Sequence, residues 1–292
     1  MTNTTPAPDQ YGIEKHVIES PPANLYQVEG IINDGIKGLE NVSKDDIQFF
    51  RDHGYMVVHD AFTLPEVDGA LRDLVNLIAG NVSEFTGIHY EAKARDMLDN
   101  IAGEARQDVV RKLANFVNYG ADLKALAEHP KLLTVIRQIV GEEPEMFQDM
   151  ALIKPPRIGR EKPWHQDFAY FNLPQGTPVV GVWIALDEAD IDNGCMHIIP
   201  GTHQDGPHIH FQRRDWQICD TDVQVNRCMA VPLKPGSCLF FDGLLHHGTP
   251  PSQSDRRRRA VQYHYKPSTV SMLNDDTERL KIFGEDGKDV YC

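Results

Sequence analysis

The segment Lys162-Pro-Trp-His165-Gln-Asp167-Phe-Ala-Tyr170-Phe171 carries an imidazole and a carboxylate two positions apart. In extended backbone, residues i and i+2 project to one face, so His165 and Asp167 can offer lone pairs to a single point. A non-haem Fe(II) site of the facial-triad kind begins this way; it needs one more His from a distant strand and leaves the opposite coordination positions open. His246 and His247, just past the apolar run through Phe240 and Phe241, are the candidates. Iron that activates O2 needs an electron source, and 2-oxoglutarate serves if its far carboxylate is neutralised. A guanidinium suits that task because it stays charged and grips a carboxylate with two parallel hydrogen bonds. The run Arg256 to Arg259 supplies four. Strand parity sets Arg258, Ala260, Gln262 and His264 on one face and Arg259, Val261, Tyr263 and Tyr265 on the other, without saying which face points inward.

These residues need a rigid frame, and the hydrophobic pattern supplies one. After Gly141 the apolar period changes from about 3.6 to about 2. Strands are expected at Met146 to Lys154, Val179 to Leu186, Met196 to Ile199, Ala230 to Leu233, Cys238 to Phe241 and Arg258 to Tyr265, separated by turns such as Asn193-Gly194 and Pro235-Gly236. Many short strands with Gly and Pro turns predict a β-sandwich or jelly roll. Upstream, capping boxes at Ser43 and Thr63 predict helices ending at Gly54 and Gly80, with a strand over Tyr55 to His59 between them. Further helices are expected at Gln107 to Val117 and Pro130 to Val140. The organisation expected is an arm over residues 1–40 and one domain over 41–292, with helical support at about 43–141 and a jelly-roll core at about 145–266.

Composition narrows the partners. The 292 residues are 41% hydrophobic, enough to bury a large core. Lys plus Arg number 29 against 43 Asp plus Glu, a net charge of -14 that argues against nucleic acid. No secretory signal and no long apolar run is evident, so a cytoplasmic protein acting on a small molecule, away from membranes, is expected. The five Cys include no CxxC and read as reduced core residues. Eight of the 13 His lie from His165 onward. Of these, His203, His208 and His210 read as structural rather than as a second metal site.

The sequence resembles the phytanoyl-CoA dioxygenase family of Fe(II)/2-oxoglutarate-dependent oxygenases. The resemblance runs from about Ser43 to Lys266. It rests on Ile153-Lys-Pro-Pro156 ahead of His165-Gln-Asp167, on Trp183, Asn193-Gly-Cys195 and Ile199-Pro-Gly-Thr-His203, and on His247-Gly-Thr249 with Arg258 eleven residues beyond His247. It implies a double-stranded β-helix, a cupin-like jelly roll that is mainly β with N-terminal helices, and it selects His247 over His246 and Arg258 over its neighbours. His165, Asp167 and His247 would then hold Fe(II). Arg258, assisted by Thr249, would bind the distal carboxylate of 2-oxoglutarate, with Trp183, Met150, Gln148 and a helical Lys112 as further contacts. O2 would be the second co-substrate, and the products would be succinate, CO2 and a substrate hydroxylated at a C–H bond. Related halogenases replace the carboxylate ligand with Gly or Ala, so Asp167 favours hydroxylation. For the substrate wall, Phe168, Tyr170 and Phe171 offer aromatic surface, and Arg213, Arg214 and Trp216 lie in the segment from which this family builds its substrate cover. Competing readings are a non-catalytic jelly-roll metal- or ligand-binding protein and a Zn-dependent hydrolase or isomerase using the same His-Asp-His set.

Overall fold

The computed structural model describes residues 20–284. The N-terminal part holds short strands β1 (Gly30–Ile31) and β2 (Ile36–Lys37), helix α1 (Lys44–His53), β3 (Tyr55–His59) and helix α2 (Leu64–Ala79). β4 (Ile88–Tyr90), β5 (Val110–Ala114), α3 (Ala121–Ala127) and α4 (Pro130–Val140) complete it. The helices start and stop where their ends are satisfied. Ser43 and Asp46 form a reciprocal capping box, as do Thr63 and Glu66, and α1, α2 and α4 end on the left-handed glycines Gly54, Gly80 and Gly141.

The jelly roll follows. Its strands are β6 (Pro144–Lys154), β7 (Lys162–His165), β8 (Val180–Ala185), β9 (Met196–Ile198), β10 (His210–Gln212), β11 (Trp216–Ile218), β12 (Met229–Val231), β13 (Cys238–Asp242), β14 (His247–Thr249) and β15 (Arg258–Pro267), before a last helix, α5 (Thr277–Phe283). An eight-stranded sheet runs β2-β3-β13-β8-β15-β6-β5-β4 and a five-stranded sheet β1-β12-β9-β14-β7, with β10 and β11 as a separate hairpin. Alternation along the large sheet serves two cores. Val182, Ile184, Phe240, Val261 and Tyr263 pack toward the helices, whereas Trp183, Ala185, Leu239, Phe241 and Ala260 face the small sheet.

Two expectations need correction. Residues 1–19 of the expected arm lie outside the described residues, and its remainder adds β1 and β2 in parallel to β12 and β3. The helix expected at Gln107 to Val117 is instead a 3-10 turn, Gly103–Asp108, followed by β5. The spacing of Val109, Val110, Leu113 and Phe116 suits a helix, yet the flank of the eleven-residue β6 offers hydrogen bonds that β5 takes up, pairing Lys112 with Leu152. Lys112 therefore sits on a strand.

Candidate active site

His165 ends β7 and is the direct antiparallel partner of His247 at the start of β14, so one pair of strand neighbours delivers both imidazoles. Gln166 is extended, and Asp167 opens a 3-10 turn, Asp167–Tyr170, which brings its carboxylate beside them. Oδ1 of Asp167 is 3.1 Å from His165 Nε2 and 3.6 Å from His247 Nε2. One ligand atom from each of the three lies within 4.8 Å of the others, and all three side chains are buried. It is the only such group found among the described residues.

The donor chemistry fits a divalent cation. His165 Nδ1 is 2.7 Å from the Pro163 carbonyl, and His247 Nδ1 is 3.0 Å from that of Leu245. A carbonyl only accepts, so each Nδ1 carries a hydrogen, and Nε2 is the atom each ring turns toward the carboxylate. Burial, followed by the neighbouring His165, lowers the His247 pKa to about 3, which keeps the ring neutral at ordinary pH. Two imidazole Nε2 atoms and a carboxylate oxygen thus converge on one point, the donor set of a divalent-cation site.

The second oxygen of Asp167 is held from β15. His264 Nε2 lies 2.7 Å from Oδ2, and Gln262 Nε2 donates to it at 3.1 Å. The sequence reading assigned these residues no role, although parity had set them on the face of Arg258. On the other side of the turn, the Gln166 side chain donates to the carbonyls of Gly206 and Leu244, while its backbone N–H donates to His210 Nε2. His210 Nδ1 is taken by the His208 carbonyl and His203 Nε2 by that of Arg51, so these histidines serve loops.

A cavity of about 390 Å³ opens over the triad. Gln148, Met150, Lys112, Thr249, Tyr170 and Arg258 all line it. Arg258 is 2% exposed and donates to the Leu152 carbonyl at 3.0 Å. Its guanidinium lies over the Trp183 ring, 5.4 Å from the centroid. Its Nε has no partner among the described residues. Burial lowers its pKa to about 10, which leaves it charged at neutral pH. Its cross-strand neighbour on β6 is Lys154, whose Nζ donates to the Arg160 carbonyl at 2.6 Å. A buried guanidinium in this state is a site for an incoming anion.

Several expected residues lie elsewhere. Trp183 backs Arg258 from the core and is not part of the cavity wall. Phe168 is turned away by the 3-10 geometry and stacks on Phe283, whereas Phe171 and Trp216 do reach the wall. Arg213 and Arg214 also miss it. Arg214 is 3% exposed and bridges Glu161 and Asp220, so it fastens the β10–β11 hairpin instead of meeting a ligand. Arg213 faces Asp220 at 3.5 Å.

A jelly roll with a buried His-Asp-His set below an arginine-anchored cavity defines the class as the Fe(II)/2-oxoglutarate-dependent non-haem oxygenases. Comparison with known proteins agrees. Residues 50–260 match the phytanoyl-CoA dioxygenase family, and the chain belongs to that family. Phytanoyl-CoA dioxygenase domain-containing protein 1 of Danio rerio is 25% identical over 268 residues, covering 79% of this chain and 92% of that protein. Peroxisomal phytanoyl-CoA dioxygenase of Rattus norvegicus is 26% identical over 284 residues, covering 93% and 75%. In fold, the chain resembles EctD from S. alaskensis, solved with 2-oxoglutarate and 5-hydroxyectoine, at a TM-score of 0.65 and 22% identity over 86% of this chain and 83% of that one.

Proposed function

We propose that this enzyme hydroxylates a C–H bond of a small-molecule substrate, consuming 2-oxoglutarate and O2 and releasing succinate and CO2. The observation that carries the reading is the pairing of a convergent, buried His-Asp-His set with a buried guanidinium that has no carboxylate partner among the described residues. His165, Asp167 and His247 would hold Fe(II), whose chemistry is to bind 2-oxoglutarate and O2 together and couple decarboxylation to substrate oxidation. Arg258 would receive the distal carboxylate, with the Thr249 hydroxyl beside it and Trp183 holding the guanidinium plane. Met150, Gln148 and Lys112 would shape the rest of the co-substrate pocket. Tyr170, Phe171 and Trp216 would wall the substrate space and keep water from the reacting centre. Arg258 speaks against a Zn-dependent hydrolase and a non-catalytic binding protein, because neither needs 2-oxoglutarate.

No helix among the described residues is long and apolar enough to cross a membrane. Four described cysteines are buried and unpaired, which supports a reducing compartment such as the cytoplasm. One measurement tests the assignment. Anaerobic addition of Fe(II) and 2-oxoglutarate should produce a visible metal-to-ligand charge-transfer band, and Arg258→Ala should lose it at the same co-substrate concentration. A protein that binds Fe(II) yet never gives the band would overturn the reading.

A further inference from the structure

The charge of the cavity is out of step with the rest of the chain. Against a net charge of -14, its wall carries Arg111, Lys112, Arg160, Lys162 and Arg258 beside Glu161, Asp167 and Asp215. Glu91 joins them from behind, 3.8 Å from Arg111 and 3.9 Å from Arg160. Five cations against four carboxylates leave an excess of one positive charge, before counting Lys154, which burial pushes toward neutrality. Fe(II) and the 2-oxoglutarate dianion cancel each other. The loaded site would therefore keep its positive excess.

That excess is concentrated at one end. Asp215 Oδ2 lies 2.8 Å from Lys162 Nζ and 3.9 Å from Arg111 Nη2, and the Lys112 charge acts on the same carboxylate. Three cations crowd around Asp215 there, with Glu91 also serving Arg111. Burial, and the Lys112 and Arg111 charges against the pull of Asp215, lower the Lys162 pKa. On the next residue of the hairpin, Trp216 lines the cavity with its indole N–H buried and unpartnered among the described residues. Arg258 is at a separate station, on β15, whereas Arg111 and Lys112 lie on β5, on the far side of β6. Crowded, partly desolvated cations cost free energy that an added anion recovers through charge-assisted hydrogen bonds.

We propose that Arg111, Lys162 and the Trp216 N–H receive a carboxylate or phosphoryl group of the substrate, so that the enzyme acts on a small anion oriented with its charged end toward β5 and the β10–β11 hairpin. This rests on the function proposed above, with 2-oxoglutarate occupying Arg258.

The test uses the anaerobic enzyme saturated with Fe(II) and 2-oxoglutarate, with trifluoroacetate as probe and trifluoroacetamide as its uncharged match, followed by fluorine NMR. Paramagnetic broadening reports only probe bound near the iron. Trifluoroacetate should broaden saturably and trifluoroacetamide should not. Arg111→Gln and Lys162→Gln should each weaken trifluoroacetate by about tenfold, the loss of one hydrogen bond to a charged group. The charge-transfer band in each variant verifies that the fold and the co-substrate pocket are intact. Equal broadening by both probes, no broadening by either, or unchanged affinity in both variants while the band persists overturns the anion site alone. Absence of the band in the parent enzyme overturns the proposed function and this inference with it.

Discussion

His264 and Asp167 stand 97 positions apart and are joined by a 2.7 Å hydrogen bond between Nε2 and Oδ2. With Gln262 on the same oxygen, β15 occupies one side of the carboxylate and leaves Oδ1 facing His165 and His247. The carboxylate is thus fixed to offer one oxygen toward the metal position.

Removing that support should loosen the metal. His264→Leu is expected to weaken Fe(II) binding by about 10- to 100-fold, the usual cost of losing a partner behind a ligand. His264→Gln keeps a donor and should recover much of the loss. Equilibrium metal titration checks both, and parent-like affinity in the leucine variant would mean that the Asp167 turn orients itself.

The ligands themselves should be indispensable. His165→Ala and Asp167→Ala are expected to abolish metal-dependent succinate formation while circular dichroism stays unchanged. Parent-level turnover in both variants would remove them from the site.

Arg258→Ala should raise the 2-oxoglutarate KM by at least about 30-fold, from the 2–5 kcal/mol typical of truncating one side of a buried charged pair. Arg258→Lys should recover little, because an ammonium lacks the planar fork. The folded-state pKa of Arg258 is lowered to about 10, so co-substrate affinity should hold through neutral pH and fall only as pH rises past that value. A bound carboxylate moves the fall higher still. Affinity measured against pH in both variants and the parent checks the sign.

Stability and turnover should separate on the other face of β15. Tyr263 donates its hydroxyl to the Leu123 carbonyl at 2.8 Å, tying the strand to α3. Tyr263→Phe should cost about 1 kcal/mol in urea unfolding and leave kcat unchanged. A lowered kcat at parent-like stability would contradict this division of the strand.

Alternation along β15 was readable, but it left open which face points inward, and the family resemblance, not parity, selected Arg258 and His247. Arg258 and Gln262 line the cavity and His264 reaches Asp167 from the same face, while Val261, Tyr263 and Tyr265 face the helices, despite a register shift at His264/Tyr265. Helix ends were readable for a local reason: each capping box is complete within four residues, and each left-handed glycine stops its helix by itself. Phe168, expected in the substrate wall with Tyr170 and Phe171, is turned away because a 3-10 turn begins at Asp167. β5 was hidden because its state depends on β6, some forty residues away. The three- and four-residue strands β7, β10, β11 and β14 carry too few residues to establish a period and exist through their neighbours.

Because Arg258 and His264 share one unbroken strand, their separation is a fixed length: six residues, or about 20 Å of backbone at roughly 3.3 Å each. On the proposed function, the strand would act as a ruler between the station for the far carboxylate and the support behind the iron. Inserting or deleting a single residue within it would turn one of the two to the opposite face of the sheet. An enzyme redesigned for a shorter or longer dicarboxylate would need its new cation on β6 or β14, leaving β15 untouched.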